Sequence, residues 1–296
     1  PEIIITSDEL EGKVFTSVKR QIELVNDSEL AELDMLYASS GCFGQGHGCA
    51  VEWNSDSIQP DYIKSSFMPY YNYLQMKARR IEGMPVFNMK YLFTADSKDI
   101  ISNLEYFVQE YKDWIADLEK RVCSGESGDF IESARNNIQK CSGICARISR
   151  TVEMLKGSSQ KDGEAWKAFR LANEAMYMQR RRSIIKAKEE LDDEKINWYP
   201  FQLAYFLLEI MSFVEPTGDD RKMVDLLWFP TGGGKTEAYL GIAAFTIFYR
   251  RLSHSEMTDG VTILMRYTLR LLTIQQFERA SILICACEIL RRKYGL

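Results

Sequence analysis

The chain has 296 residues, 46% of them hydrophobic and 27% charged, a globular composition with material for about two domains. No apolar run approaches the roughly 20 residues that cross a bilayer, no signal-like start is present, and seven scattered cysteines suit a reducing cytoplasm better than a disulfide scaffold. The net charge of −5 argues against indiscriminate coating of nucleic acid and leaves room only for a local basic track.

Residues 1–95 read as β-rich and irregular. Glu2–Thr6, Val14–Val18 and Gln21–Val25 are short and β-branched, as strands are. Between and after them lie a Gly-rich segment, Gly41–Gly48, and an aromatic one, Phe67–Tyr73. The sequence starts with Pro1 rather than Met and is read as a fragment of a longer protein.

From Asp96 the period changes. Ile100, Leu104, Phe107, Tyr111, Trp114, Leu118 and Val122 recur every three or four residues up to a Ser-Gly-Glu-Ser-Gly break at 124–128. Ile131, Ala134, Ile138, Cys141, Cys145, Ile148, Val152 and Leu155 then form a heptad-like stripe. A second break at 156–160 precedes a third helical run from about Gly163 to Leu191. This spacing predicts a long helical hairpin with a third helix packed on it, the stripe being a packing seam.

The last hundred residues alternate. A helix at Phe201–Phe213 and a turn lead to a strand at Met223–Trp228, a Gly-rich loop and a helix from Glu237 to Arg251. A second strand, Val261–Met265, and a further helix from about Leu269 follow. The expected fold class is therefore α/β with accessory regions. A β-rich domain (1–95) and a helical region (96–192) precede the first part of a RecA-like parallel-sheet domain (193–296).

The chemistry sits in that last part. Pro230-Thr231-Gly232-Gly233-Gly234-Lys235-Thr236-Glu237 reads as a phosphate-binding loop of Walker A type. Glycines let backbone N–H groups turn inward toward an anion, and the following helix adds its unsatisfied N-terminal donors. Lys235 is expected to reach the β- and γ-phosphates of ATP and Thr236 to hold Mg²⁺. Upstream, Gln202 opens a helix behind Trp198-Tyr199-Pro200-Phe201. Its amide can donate to and accept from an adenine edge at once. Downstream, Arg266, Thr268 and Arg270 follow the second strand, where phosphates of a nucleic-acid strand would be gripped.

Pro230–Ala238, the Arg266–Gln276 segment and Pro200–Ala204 resemble motifs I, Ia and Q of superfamily 2 helicases. With Ala168–Met176 and Gly46–Ala50, the chain is similar to the helicase-like subunit family of the DISARM antiphage systems. That resemblance implies ATP- and Mg²⁺-dependent movement on DNA, in bacterial defence, beside a DrmB-type partner protein. A superfamily 2 motor also needs an acidic motif II and a second RecA lobe. Asp8-Glu9 and Asp193-Glu194 precede the phosphate loop and fall in the wrong order for motif II. The chain alone is thus expected to bind nucleotide weakly and not to turn it over. A nucleotide-binding scaffold without hydrolysis, and a DNA- or protein-docking subunit, stay open beside the motor.

Other clusters read more plainly. Cys42, His47 and Cys49 offer three zinc ligands where a structural site wants four, and Gly-rich packing is the better reading. Arg180-Arg181-Arg182 with Lys186 and Lys188 suits either a DNA track or a solvated helix with compensating charges. Cys141, Cys145, Cys285 and Cys287 sit in apolar helical runs as small hydrophobes.

Overall fold

The computed structural model describes residues 2–6, 15–17, 28–38, 41–54, 60–68, 77–78, 81, 83–229, 232–253, 260–266 and 270–296, the side chains of Ser28 and 270–273 excepted. The chain forms two compact units, 1–75 with 117–140 and 76–116 with 141–296.

In the first unit, β1 (Ile4–Thr6), β2 (Ala50–Trp53) and β3 (Tyr62–Ser66) make an antiparallel sheet in the order β1-β3-β2. Ile5 pairs with Ile63, and Trp53 faces the same residue from the other side. Phe43 meets Trp53 edge-on at 5.7 Å between ring centroids. The Gly-rich loop packs tightly: a Cβ on Gly46 would lie 2.1 Å from the Cys49 carbonyl oxygen. Residues 28–36, which carry no helical period, form α1 (Ser28–Leu36). The expected strand Gln21–Val25 and most of Phe67–Tyr73 lie outside the described residues.

The helical periods translate directly. α2 (Tyr91–Thr94), α3 (Ser97–Cys123), α4 (Ile131–Ser159) and α5 (Glu164–Lys186) follow in order. The expected break at 156–160 comes late, because α4 runs through Gly157 to Ser159. α6 (Pro200–Val214), α7 (Lys235–Ser253) and α8 (Arg270–Tyr294) complete the second unit. Among the described residues no helix is long and apolar enough to cross a membrane.

α5 is the centre of this unit, packing on α7 and α8, while α6 packs on α7. Ala165, Ala168, Ala172 and Ala175 are buried on it, and side chains this small let neighbours approach closely. A chain of rings fills the space: Trp166–Phe169 at 5.9 Å, Phe169–Phe206 at 5.8 Å and Phe206–Phe245 at 6.2 Å. The buried Asn173 is satisfied, donating to the Phe169 carbonyl at 2.8 Å and accepting from Trp198 Nε1 at 2.9 Å, as a polar group inside a core must be.

One expectation fails. The described residues are mostly helical with one small antiparallel sheet, and no RecA-like parallel sheet is formed. Residues 223–228 and 261–265, expected as its first two strands, carry no ladder. Their side chains explain why the pattern looked like a strand. Val224, Leu226 and Trp228 are exposed at 97%, 84% and 68%, while Asp225, Leu227 and Phe229 between them are half-buried, the two-residue alternation of an extended run. A strand also needs a second backbone to bond with, and neither segment supplies one to the other.

Candidate phosphate-loop site

Residues 223–229 run straight into the Gly-rich loop, and α7 begins at Lys235. Gly232 and Gly234 adopt φ of +82° and +87°, backbone that side chains with a Cβ avoid. Lys235 folds back so that Nζ donates to the Phe229 carbonyl, which brings its ammonium over the start of the loop. Gly232 is exposed, and Gly233 through Glu237 are half-buried. Thr236 occupies the second position of α7. Glu237 pairs with Arg279 of α8, tying the first turn of α7 to its neighbour. Thr231 and Thr268, and the side chain of Arg270, lie outside the described residues; Arg266 is exposed.

Gln202 has a different neighbourhood from the one its sequence position suggests. It is almost wholly buried, 2% exposed. Oε1 accepts from the Tyr199 backbone N–H at 2.8 Å, and Nε2 donates to the Gly234 carbonyl at 2.6 Å. Both ends of the amide are therefore engaged, and the side chain fixes the last glycine of the loop to the start of α6. A Cβ on Gly234 would come within 2.7 Å of Nε2. The loop is clamped at its other end by rings: Phe229 stacks on Phe201 at 4.5 Å with 10° between planes, and Phe201 on Tyr199 at 6.1 Å.

Beneath the loop lies a set of charges that the sequence did not single out. Arg147 of α4 donates Nη1 and Nη2 to the two oxygens of Asp225 at 2.7 Å each. Its Nε lies 2.8 Å from Asp220, which Arg150 also meets at 2.8 Å. The Tyr205 hydroxyl donates to the Asp225 carbonyl at 3.3 Å. Glu209 of α6 completes the group: burial, then the neighbouring Asp225 carboxylate, push it up to about 7. Arg147 holds Asp225 below the usual carboxylate range. An aspartate inside the apolar run 223–228 and a glutamate inside the apolar stretch 200–214 were the available signs of this cluster.

Among the described residues no group of three His, Cys, Asp or Glu is placed to hold a metal. The Cys42 thiol meets the Gly44 carbonyl at 3.6 Å, and His47 and Cys49 are exposed. In the basic stretch, Arg181 lies 3.8 Å from Asp193 and Lys186 pairs with Glu278, so compensating charges are present. Cys145 and Cys287 are buried, whereas Cys285 is exposed and Cys141 intermediate.

No family model matches the chain. A curated relative does: over 282 residues, 88% of this chain, it is 37% identical to the DISARM protein DrmA of Bacillus paralicheniformis. The chain spans 24% of that relative's length. Across nearly all of its own length, then, the chain with the Phe229–Lys235 loop resembles DISARM protein DrmA.

Proposed function

We propose that the chain is the nucleotide-binding part of a DrmA-type subunit in a bacterial antiphage system. In that reading 193–296 is the first part of the motor domain, and the whole protein couples ATP hydrolysis to movement along DNA. The observation that carries it is the loop itself: two glycines at positive φ, a lysine turned onto the loop's own carbonyl and a helix starting at that lysine. A triphosphate fits these residues. Gly232 has nothing within 4 Å of a built Cβ, which leaves room beside its backbone, and the Lys235 ammonium, already turned onto a loop carbonyl, can exchange it for phosphate oxygens.

ATP with Mg²⁺ would supply the free energy of phosphoanhydride hydrolysis. The chain's own residues bind and orient. Gly232 to Gly234 would offer N–H donors, joined in this reading by Thr231, Lys235 would neutralise phosphate charge, and Thr236 would hold the metal. Glu237, fixed by Arg279, steadies the first turn of α7. Gln202 keeps Gly234 in place, and it reads adenine only once that contact is exchanged. Arg266, Thr268 and Arg270 grip DNA phosphates, so binding is sequence-tolerant and falls as salt rises. The similarity to a DISARM protein supports assembly with a DrmB-type partner.

The test is titration of the chain with a fluorescent ATP analogue and Mg²⁺. Saturable binding that Lys235→Ala abolishes, without steady-state hydrolysis by the 296-residue chain, is the expected result. Binding unchanged by Lys235→Ala would refute the reading.

A further inference from the structure

The run into the phosphate loop has no ladder partner among the described residues, yet its position is fixed. Two side-chain clamps hold it. At Phe229 the clamp is the stacked Phe201 ring. At Asp225 it is the two-pronged guanidinium of Arg147, 9% exposed as a side chain, against a carboxylate 16% exposed. The planar fork matches a carboxylate in both position and orientation, which a single ammonium contact does not.

The same guanidinium is itself held by Asp220, 6% exposed as a side chain, which Arg150 closes from the same helix. Asp225 is further fixed through its carbonyl by Tyr205. From Asp225 the chain continues through three residues to Phe229, whose carbonyl carries Lys235. Any shift of α4 therefore moves the backbone that presents the phosphate loop.

We propose that Arg147 is a positioning residue that sets the phosphate loop through Asp225, so that nucleotide affinity depends on how α4 is seated. The proposal rests on the nucleotide reading above. A partner that presses on α4 would regulate the site without touching it, by biasing the placement of residues 225–235.

The test uses the full chain, a fluorescent ATP analogue and Mg²⁺. Arg147→Lys keeps the charge and loses the fork; Asp225→Asn keeps the shape and loses the charge. Each is expected to weaken binding about tenfold and to speed amide exchange at 232–237, with exchange in α5 and the helical circular-dichroism signal unchanged. Arg150→Ala, which leaves the fork intact, is expected to bind as the parent does. If Arg147→Lys does not fold, the near-isosteric Asp225→Asn carries the test. Loss of binding in Lys235→Ala beside parental affinity in both fork variants overturns this proposal alone, as does faster exchange spread evenly through α5. Binding that survives Lys235→Ala overturns the nucleotide reading and this proposal together.

Discussion

The Gln202 carboxamide donates to the Gly234 carbonyl at 2.6 Å, and a methyl group at position 234 would sit 2.7 Å from the donating nitrogen. The last glycine of the loop is thus required twice, for its φ of +87° and for the closeness of a buried amide. Gly234→Ala is expected to lower nucleotide affinity at least about tenfold and to destabilise the fold by about 1–2 kcal/mol. Parallel binding and urea titrations check both numbers.

Gln202→Ala strands the Gly234 carbonyl and removes the acceptor for the Tyr199 N–H. Leaving such groups unpaired costs about 1–3 kcal/mol. Gln202→Glu keeps the acceptor for Tyr199 but faces Gly234 with a second acceptor, so it should be at least as destabilising as the alanine variant. Thermal melts of the two variants side by side decide this.

Arg147→Ala leaves the buried Asp220 and the half-buried Asp225 without their shared cation. Breaking one partner of such a pair costs about 3–5 kcal/mol, a large share of a domain's stability. The variant should unfold at much lower urea concentration than Arg150→Ala, whose guanidinium is half exposed.

Stability should fall as pH rises from the ordinary carboxylate range toward neutrality. Glu209 is held up to about 7, so the native protein keeps that proton where the unfolded chain has lost it. Its contribution is fully present below the ordinary value of 4.5 and is lost as pH passes about 7. Asp225, lowered by Arg147, acts in the opposite sense and loses its contribution only as pH falls through its own depressed value. Arg147, Asp225 and Tyr205 are the groups that set the Glu209 environment. Glu209→Gln should flatten the decline between pH 4.5 and about 7 and be more stable than the parent at the upper end. Urea titrations in steps of pH would expose an unchanged slope, which contradicts this account.

Two helical glycines make an opposed pair. Gly157 in α4 has nothing within 4 Å of a built Cβ, whereas Gly241 in α7 would place one 2.8 Å from the Trp198 ring. Gly157→Ala should stabilise by about 0.5–1 kcal/mol through helix propensity. Gly241→Ala should destabilise by about 1–3 kcal/mol by forcing the buried ring aside. Denaturation midpoints of the two variants give the comparison directly.

The helices were legible because their cause is local. Ile100 to Val122 and Ile131 to Leu155 repeat at helical spacing, and α3 and α4 cover those residues. The turn at Gly232 and Gly234 and the helix start at Lys235 were legible as well, since glycine adopts positive φ without strain. What did not follow was anything set by partnership. Residues 223–228 and 261–265 are short, largely apolar runs as strands are, but composition does not supply a second backbone. Arg147 stands beside the stripe residue Ile148 and reads as a solvated position, yet it is buried with Thr151 one turn on. Gln202 showed that an amide begins α6, but not that Gly234 would consume it.

The bare face of residues 224–228 also shapes how the protein behaves in solution. Val224, Leu226 and Trp228 are exposed on a backbone that joins no ladder among the described residues, and such a segment is a template for pairing between molecules. Purified samples should therefore scatter light increasingly with concentration, and Leu226→Lys should return them toward monodispersity. Stickiness and ligand capture would then reside on neighbouring stretches of one short segment.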